Sequence, residues 1–114
     1  MGDRRVARLH TSNGDIFVYT HWGGEDYPNN ARRAIIKARN RWDDETYCTH
    51  IIIDQLTRLE RDSEVGAGIS LDPEGQEDEY ISGQFGYSIT IDLVEQYLRV
   101  SDHESYFKTK WKDC

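Results

Sequence analysis

The sequence is poor in cysteine and in long apolar runs, and both absences exclude classes of protein. Its two cysteines, Cys48 and Cys114, form neither a disulfide framework nor a CxxC pair, so we expect a buried small side chain, a free thiol and a reducing compartment. No apolar run approaches the roughly 20 residues that cross a bilayer. The basic first residues are not followed by the apolar segment of a secretion signal. We therefore expect a soluble cytoplasmic protein without membrane association.

Catalytic signatures are also missing from the sequence. No serine stands in a GxSxG context, and Gly66-Ala67-Gly68 lacks the GKS or GKT that would indicate a phosphate loop. His50 and Asp54 have the i, i+4 spacing of two metal ligands on one helix face, but no third ligand accompanies them. We expect no enzymatic activity, no cofactor and no metal site.

The charged residues, in contrast, are abundant and unevenly distributed. The 114 residues are enough for one domain and carry 14 basic and 21 acidic side chains, a formal net charge of −7. Residues 1–41 hold eight basic and four acidic side chains, residues 42–104 hold three and sixteen, and residues 105–114 hold three and one. A basic first third is therefore followed by a strongly acidic stretch, which disfavours general binding to nucleic acid or anionic membranes.

Two alternating segments near the start predict a β-hairpin. Residues 6–11 and 15–21 alternate polar and apolar side chains, and Asn13-Gly14 between them favours a type I′ turn. Both faces of the second strand are partly apolar, so we expect helices to cover at least one of them.

Two helices are predicted after this hairpin. Apolar residues at i, i+4, i+7 and i+11 predict a first helix over about 29–41. Asp43 or Asp44 is placed to cap a second helix that continues to about Glu60. The apolar stripe of the first helix is Ala31, Ile35, Ala38 and Trp42, and that of the second is Cys48, Ile52, Leu56 and Leu59.

The second half predicts further strands around an exposed acidic loop. Residues 66–71 are short and glycine-rich, residues 72–79 cannot pack into a core, and residues 87–92 and 97–101 alternate as a closing hairpin does. Aromatic residues after Asp102 indicate that the tail docks on the body. We predict a single α+β domain over residues 1–114, in which an antiparallel sheet of two hairpins plus a short strand packs against two helices, in the order β-β-α-α-β-β-β.

The carboxylates of the acidic stretch are the leading candidates for a binding surface. Grouped on one ridge, they would imitate nucleic-acid phosphates, which lie one per ~1.7 Å of duplex axis, and would steer association with a basic groove. The competing interpretations are a solvated loop for the acidic run and helix capping for residues 43–45. The candidate partner-binding residues are Asp43, Asp44, Glu45, Glu60, Asp62, Glu64, Asp72, Glu74, Glu77, Asp78 and Glu79.

Three segments resemble a family of small uncharacterised proteins encoded by phages and prophages. They are residues 17–24 (FVYTHWGG), 41–47 (RWDDETY) and 66–70 (GAGIS), and the likeness extends over roughly residues 15–101. The resemblance implies a phage origin and a location in the host cytoplasm. Small acidic phage proteins without catalytic motifs are often inhibitors of host machinery, including anti-CRISPR proteins, and the resemblance extends that expectation to this chain by analogy.

We therefore expect an anti-defence, anti-CRISPR-like inhibitor that binds a host protein or nuclease complex with a basic groove through an acidic, DNA-mimicking surface. One alternative is a small enzyme or ligand-binding module centred on His21-Trp22-Gly23-Gly24, where a strand ends beside two glycines. The other is a nucleic-acid binder that uses the basic first helix. The basic residues of that helix are Arg32, Arg33, Lys37, Arg39 and Arg41. Nothing in the sequence indicates the oligomeric state.

Overall fold

The structure, a computed structural model, describes residues 5–20, 27–58, 67–71, 87–102 and 106–114. These residues form an α+β fold with two helices and one six-stranded sheet, which confirms the predicted fold class. The strands are β1 (Arg5–Thr11), β2 (Gly14–Thr20), β3 (Ala67–Ser70), β4 (Tyr87–Asp92), β5 (Tyr97–Asp102) and β6 (Tyr106–Lys110). The helices are α1 (Tyr27–Lys37) and α2 (Glu45–Thr57), and short 3₁₀ turns lie at Arg39–Arg41 and Trp111–Asp113. Within the described ranges, no helix is long and apolar enough to cross a membrane.

The sheet is mixed, which corrects the prediction of an antiparallel sheet. Its strand order is β3-β2-β1-β4-β5-β6, and β1 pairs with β4 in parallel. The β1–β2 and β4–β5 hairpins form as predicted. One side of β1 is paired with β2. The other side is paired with β4, which the chain reaches only after both helices and β3, and which runs in the same direction as β1. Alternation in sequence shows which residues share a face, but it carries no information on strand direction.

The described residues also contain one strand more than the predicted order. The tail was predicted to dock on the body, and β6 does so by pairing antiparallel with β5. The observed order is therefore β-β-α-α-β-β-β-β, with β6 at one edge of the sheet and β3 at the other. A five-residue strand with two lysines, Lys108 and Lys110, has too weak an alternation to be recognised without its partner.

The turn of the first hairpin differs from the predicted type I′ turn. A type I′ turn needs positive φ at both central residues, but neither Ser12 nor Asn13 has it, whereas Gly14 has a φ of 129°. The Thr11 hydroxyl accepts a hydrogen bond from the Asn13 N–H and donates one to the Gly14 carbonyl, over 3.2 and 2.6 Å. These hydrogen bonds stabilise the turn, and Gly14, which follows the two central residues, is the residue that adopts positive φ.

Both helices form, although α1 is shorter than the predicted 29–41. It begins at Tyr27 and ends at Lys37. A separate 3₁₀ turn follows it and carries Arg39 and Arg41. The helix α2 begins where capping predicts. Asp44 is extended at the N-cap, and its side chain accepts a hydrogen bond from the Tyr47 N–H.

The helices pack on one face of the sheet and form the core with it. Both predicted stripes are buried where the structure describes them, except that Trp42 is only half-buried and Leu59 lies outside the described residues. On the opposite face, Val6 and Phe17 are also buried. The core on the helical face includes Ala7, Leu9, Val18, Ala31, Ala34, Ile35, Ala38, Cys48, Ile52, Leu56, Ile89, Ile91, Leu98, Val100 and Trp111.

The thiol of Cys48 is part of this core, as predicted. Burial, together with the nearby carboxylates of Asp44 and Glu45, raises its pKa from the ordinary 9.0 to about 11. The thiol of Cys114 is half-buried, and burial raises its pKa as well. Both side chains therefore remain protonated thiols at neutral pH.

We expect Cys48 to make the fold less stable in alkali. Between about pH 9 and pH 11 the unfolded chain loses the thiol proton that the folded chain keeps, so the free energy of unfolding falls as the pH rises. Urea unfolding of the wild type and of Cys48→Ala at pH 8 and pH 10 measures this. From the lower to the higher pH, the unfolding equilibrium constant should rise up to about tenfold more in the wild type than in the variant. Equal pH dependence of the two proteins would contradict the assignment.

Candidate partner-binding surface

The N-terminus of α2 is joined to the turn of the first hairpin. The carboxylate of Glu45 accepts hydrogen bonds from the Ser12 hydroxyl over 2.8 Å and from the Ser12 backbone N–H over 3.3 Å. Asp44, the preceding residue, is used for capping. Capping, the competing interpretation for residues 43–45, therefore accounts for Asp44, while Glu45 connects two elements and Asp43 is exposed without either role.

The turn between β4 and β5 joins the same end of the domain. The Asp92 side chain accepts hydrogen bonds from the backbone N–H groups of Val94 and Glu95, over 2.9 and 2.8 Å. Gln96 follows in the left-handed region with a φ of 59°. Its amide donates to the Trp42 carbonyl over 3.0 Å, immediately before Asp43. A non-glycine residue in this conformation stores strain, and its side-chain bond fixes the turn against the start of α2.

The strands β1, β2 and β4 bring two further carboxylates to this end of the domain. Register places His10 between Asp15 on β2 and Asp92 on β4. The Nδ1 atom of His10 lies 2.7 Å from an Asp15 oxygen, and Arg8 Nε lies 3.9 Å from the other oxygen of this carboxylate. The Asp15 carboxylate thus contacts two side chains of β1.

These contacts gather six carboxylates at one end of the domain, which we call the acidic end. Residues 43–45 are predicted partner-binding residues, and the structure brings them to the same end as three carboxylates that no local sequence pattern indicates, Asp15, Asp92 and Glu95. The missed residues come from two other turns, and only the strand register and the Ser12 and Gln96 hydrogen bonds reveal their proximity. The acidic end consists of Asp15, Asp43, Asp44, Glu45, Asp92 and Glu95.

The remaining predicted partner-binding residues lie outside the described residues. They are Glu60, Asp62, Glu64, Asp72, Glu74, Glu77, Asp78 and Glu79. The alternative centre at His21-Trp22-Gly23-Gly24 also lies outside them. The prediction that all these carboxylates form one surface therefore stays a prediction.

The basic first helix continues towards the acidic end. Arg33 and Lys37 are exposed on α1, and Arg33 donates a hydrogen bond to Asn30 over 3.1 Å. The guanidinium of Arg39 lies 5.6 Å from the centre of the Trp42 ring, and that of Arg41 lies 5.2 Å from the Tyr47 ring. Stacking of this kind holds the two arginines beside the start of α2.

Two tryptophan side chains, Trp42 and Trp111, pack against each other next to the acidic end. The rings of Trp42 and Trp111 are 5.4 Å apart at 54°. Each indole N–H is satisfied within the fold, that of Trp42 by the Ile35 carbonyl over 2.8 Å and that of Trp111 by the Tyr97 carbonyl over 3.0 Å. These paired donors make the ring positions well defined.

The other metal and ligand candidates remain separate. His50 is exposed on α2, while Asp54 accepts a hydrogen bond from Arg58 over 3.2 Å. In the part of the chain that the structure describes, no group of three or more His, Cys, Asp or Glu side chains is arranged to hold a metal ion. His50 and Asp54 therefore have no third candidate ligand among the described residues.

Comparison with known proteins adds no relative to this picture. No protein-family model, no curated protein and no solved structure matches the chain. The likeness to small phage-encoded proteins therefore stays a prediction, and inferences about function depend on the chain's own residues.

Proposed function

We propose that this protein is a non-catalytic, anti-defence inhibitor that binds a nucleic-acid-handling protein complex, and that the acidic end enters a basic groove of that complex. The observation that carries the proposal is the convergence of carboxylates from three separate turns, held by the Ser12–Glu45 and Gln96–Trp42 hydrogen bonds. Such a preformed group of negative charges is attracted to the sites that hold nucleic-acid phosphates.

The charge distribution of the whole sequence supports the same proposal. Residues 42–104 contain sixteen acidic and three basic side chains, and five of the six carboxylates at the acidic end belong to this stretch. The eight candidate carboxylates from residues 60–79 would extend the negative surface. Long-range attraction from so many charges accelerates association with a basic partner and makes it sensitive to salt.

Two residues allow this proposal to be tested without disturbing the fold. Asp43 and Glu95 are exposed, and the contacts that join the three turns involve neither of their side chains. We expect the double variant Asp43→Lys/Glu95→Lys to lose at least about tenfold in inhibitory potency, because close charge pairs at such interfaces contribute strongly to affinity. The measurement is target-DNA cleavage by a panel of purified RNA-guided nuclease complexes at graded salt concentrations.

A matched control is available on the same helix. Asp54→Lys reverses a carboxylate about 15 Å along α2 from the acidic end and should leave potency unchanged. Each charge reversal at Asp72, Glu74, Glu77, Asp78 or Glu79 should reduce potency as well. Inhibition that is indifferent to the Asp43 and Glu95 reversals, or a panel in which no complex is inhibited, would contradict the proposal.

A further inference from the structure

The last two strands gather three cations on the face of the sheet opposite the helices. Pairing of β5 with β6 places Arg99 opposite Lys108 and Tyr97 opposite Lys110. Leu98 is buried in the core on the helical face, so its neighbours Tyr97 and Arg99 share the other face with the two lysines. We call these four residues the basic block.

The basic block is electrostatically unfavourable by itself. Like charges directly opposite one another on adjacent strands repel. Among the described residues, no carboxylate oxygen lies within 4.0 Å of the side-chain nitrogens of Arg99, Lys108 or Lys110. The chain has a net charge of −7, yet these three neighbouring cations form no ion pair with a carboxylate of the described residues.

Arg99 also has an unsatisfied donor. Its Nε atom is buried and has no hydrogen-bond partner, although buried donors in folded proteins nearly always have one. Lys108 Nζ lies 4.0 Å from the centre of the Tyr97 ring, and an ammonium group has three N–H donors, so those that do not face the ring can reach an acceptor. A phosphate group offers several acceptor oxygens, and both the guanidinium fork and the ammonium group bind it well.

A pocket of about 270 Å³ adjoins the basic block. It shares Tyr97 and Lys110 with the block, and its other lining residues include Trp42, Glu95 and Gln96. Aromatic rings stack on nucleobases, and a carboxylate and an amide oxygen accept hydrogen bonds from the amino group of a base. Its size is close to the lower limit for small-molecule sites. The pocket thus suits the uncharged part of a ligand whose phosphates lie on the cations.

We propose that Arg99, Lys108 and Lys110 bind the phosphates of a nucleotide whose base occupies the pocket beside Tyr97. The site shares Glu95 with the acidic end but differs from it in chemistry, because its ligand is an anion and the partner of the acidic end is a basic groove. Single nucleotides are favoured over nucleic acid, since the adjacent acidic end repels a long polyanion.

Isothermal titration calorimetry with ATP, pyrophosphate and a short oligothymidylate tests this inference. We expect ATP to bind saturably with a Kd below about 1 mM and pyrophosphate to bind more weakly, because it leaves the pocket empty. The inference is overturned by the absence of saturable ATP binding, by equal affinity for ATP and pyrophosphate, or by tighter binding of the oligonucleotide.

Variants then locate the site on the sheet. Arg99→Gln and Lys108→Gln should each weaken ATP binding by about tenfold. Arg99→Gln should not lower the free energy of unfolding, because it removes a like-charge contact. Arg33→Gln on α1 is the matched control and should bind ATP as the wild type does. Unchanged ATP affinity in Arg99→Gln would overturn the site. A ligand-free Arg99→Gln protein that is less stable than the ligand-free wild type would also overturn it, since that result would show a structural role for Arg99.

Discussion

Replacing Trp111 by alanine is expected to lower the free energy of unfolding by about 3–5 kcal/mol. The side chain is 1% exposed and packs in the core against Trp42. It follows β6 directly, so its burial holds the last strand against the sheet. Because domains of this size are stable by only about 5–15 kcal/mol, a loss of this size is a large share of the total, and chemical denaturation should show a much lower midpoint.

A second substitution separates the two interactions of this indole. Trp111→Phe keeps most of the apolar contact but removes the N–H that donates to the Tyr97 carbonyl, so it should cost clearly less than the alanine variant, about 1–3 kcal/mol. The control is Tyr47→Ala, which removes an aromatic side chain that is 58% exposed and should change stability much less. A Trp111→Ala protein as stable as the wild type would show that the tail is not part of the cooperative fold.

The elements that sequence could predict are those fixed by local periodicity and capping. The stripe of α2 repeats at helical spacing from Cys48 to Leu56, and Asp44 stands where an N-cap is needed, so the start of this helix was predicted within one residue. The parallel pairing of β1 with β4 depends instead on contacts between residues about 80 positions apart. No local pattern encodes such a pairing, because an alternating strand presents the same faces in either direction.

The same limit applies to the candidate surface. The carboxylates of residues 43–45 are adjacent in sequence and could be proposed together. Asp15 and Glu95 join them only because the hairpin turn and the β4–β5 turn fold to the same end of the sheet, through hydrogen bonds made by Ser12 and Gln96. The cations of the basic block were missed for a related reason, since Arg99 and Lys108 become neighbours only through the register of β5 and β6.

Replacing Leu9 by alanine tests the burial of β1 at the centre of the sheet, and we expect the free energy of unfolding to fall by about 2–5 kcal/mol. Leu9 is fully buried on β1, opposite Ile16 of β2 and Ile91 of β4. Leu71→Ala is the matched control, because this leucine is 73% exposed and its truncation should stay within about 0.5 kcal/mol. Urea unfolding of both variants measures the difference. Leu9 has a neighbouring strand on each side and lies in the core that the helices cover, so its truncation should cost clearly more than that of Leu71. Similar costs for the two truncations would show that Leu9 lies outside the core and would contradict the central place of β1 in the sheet.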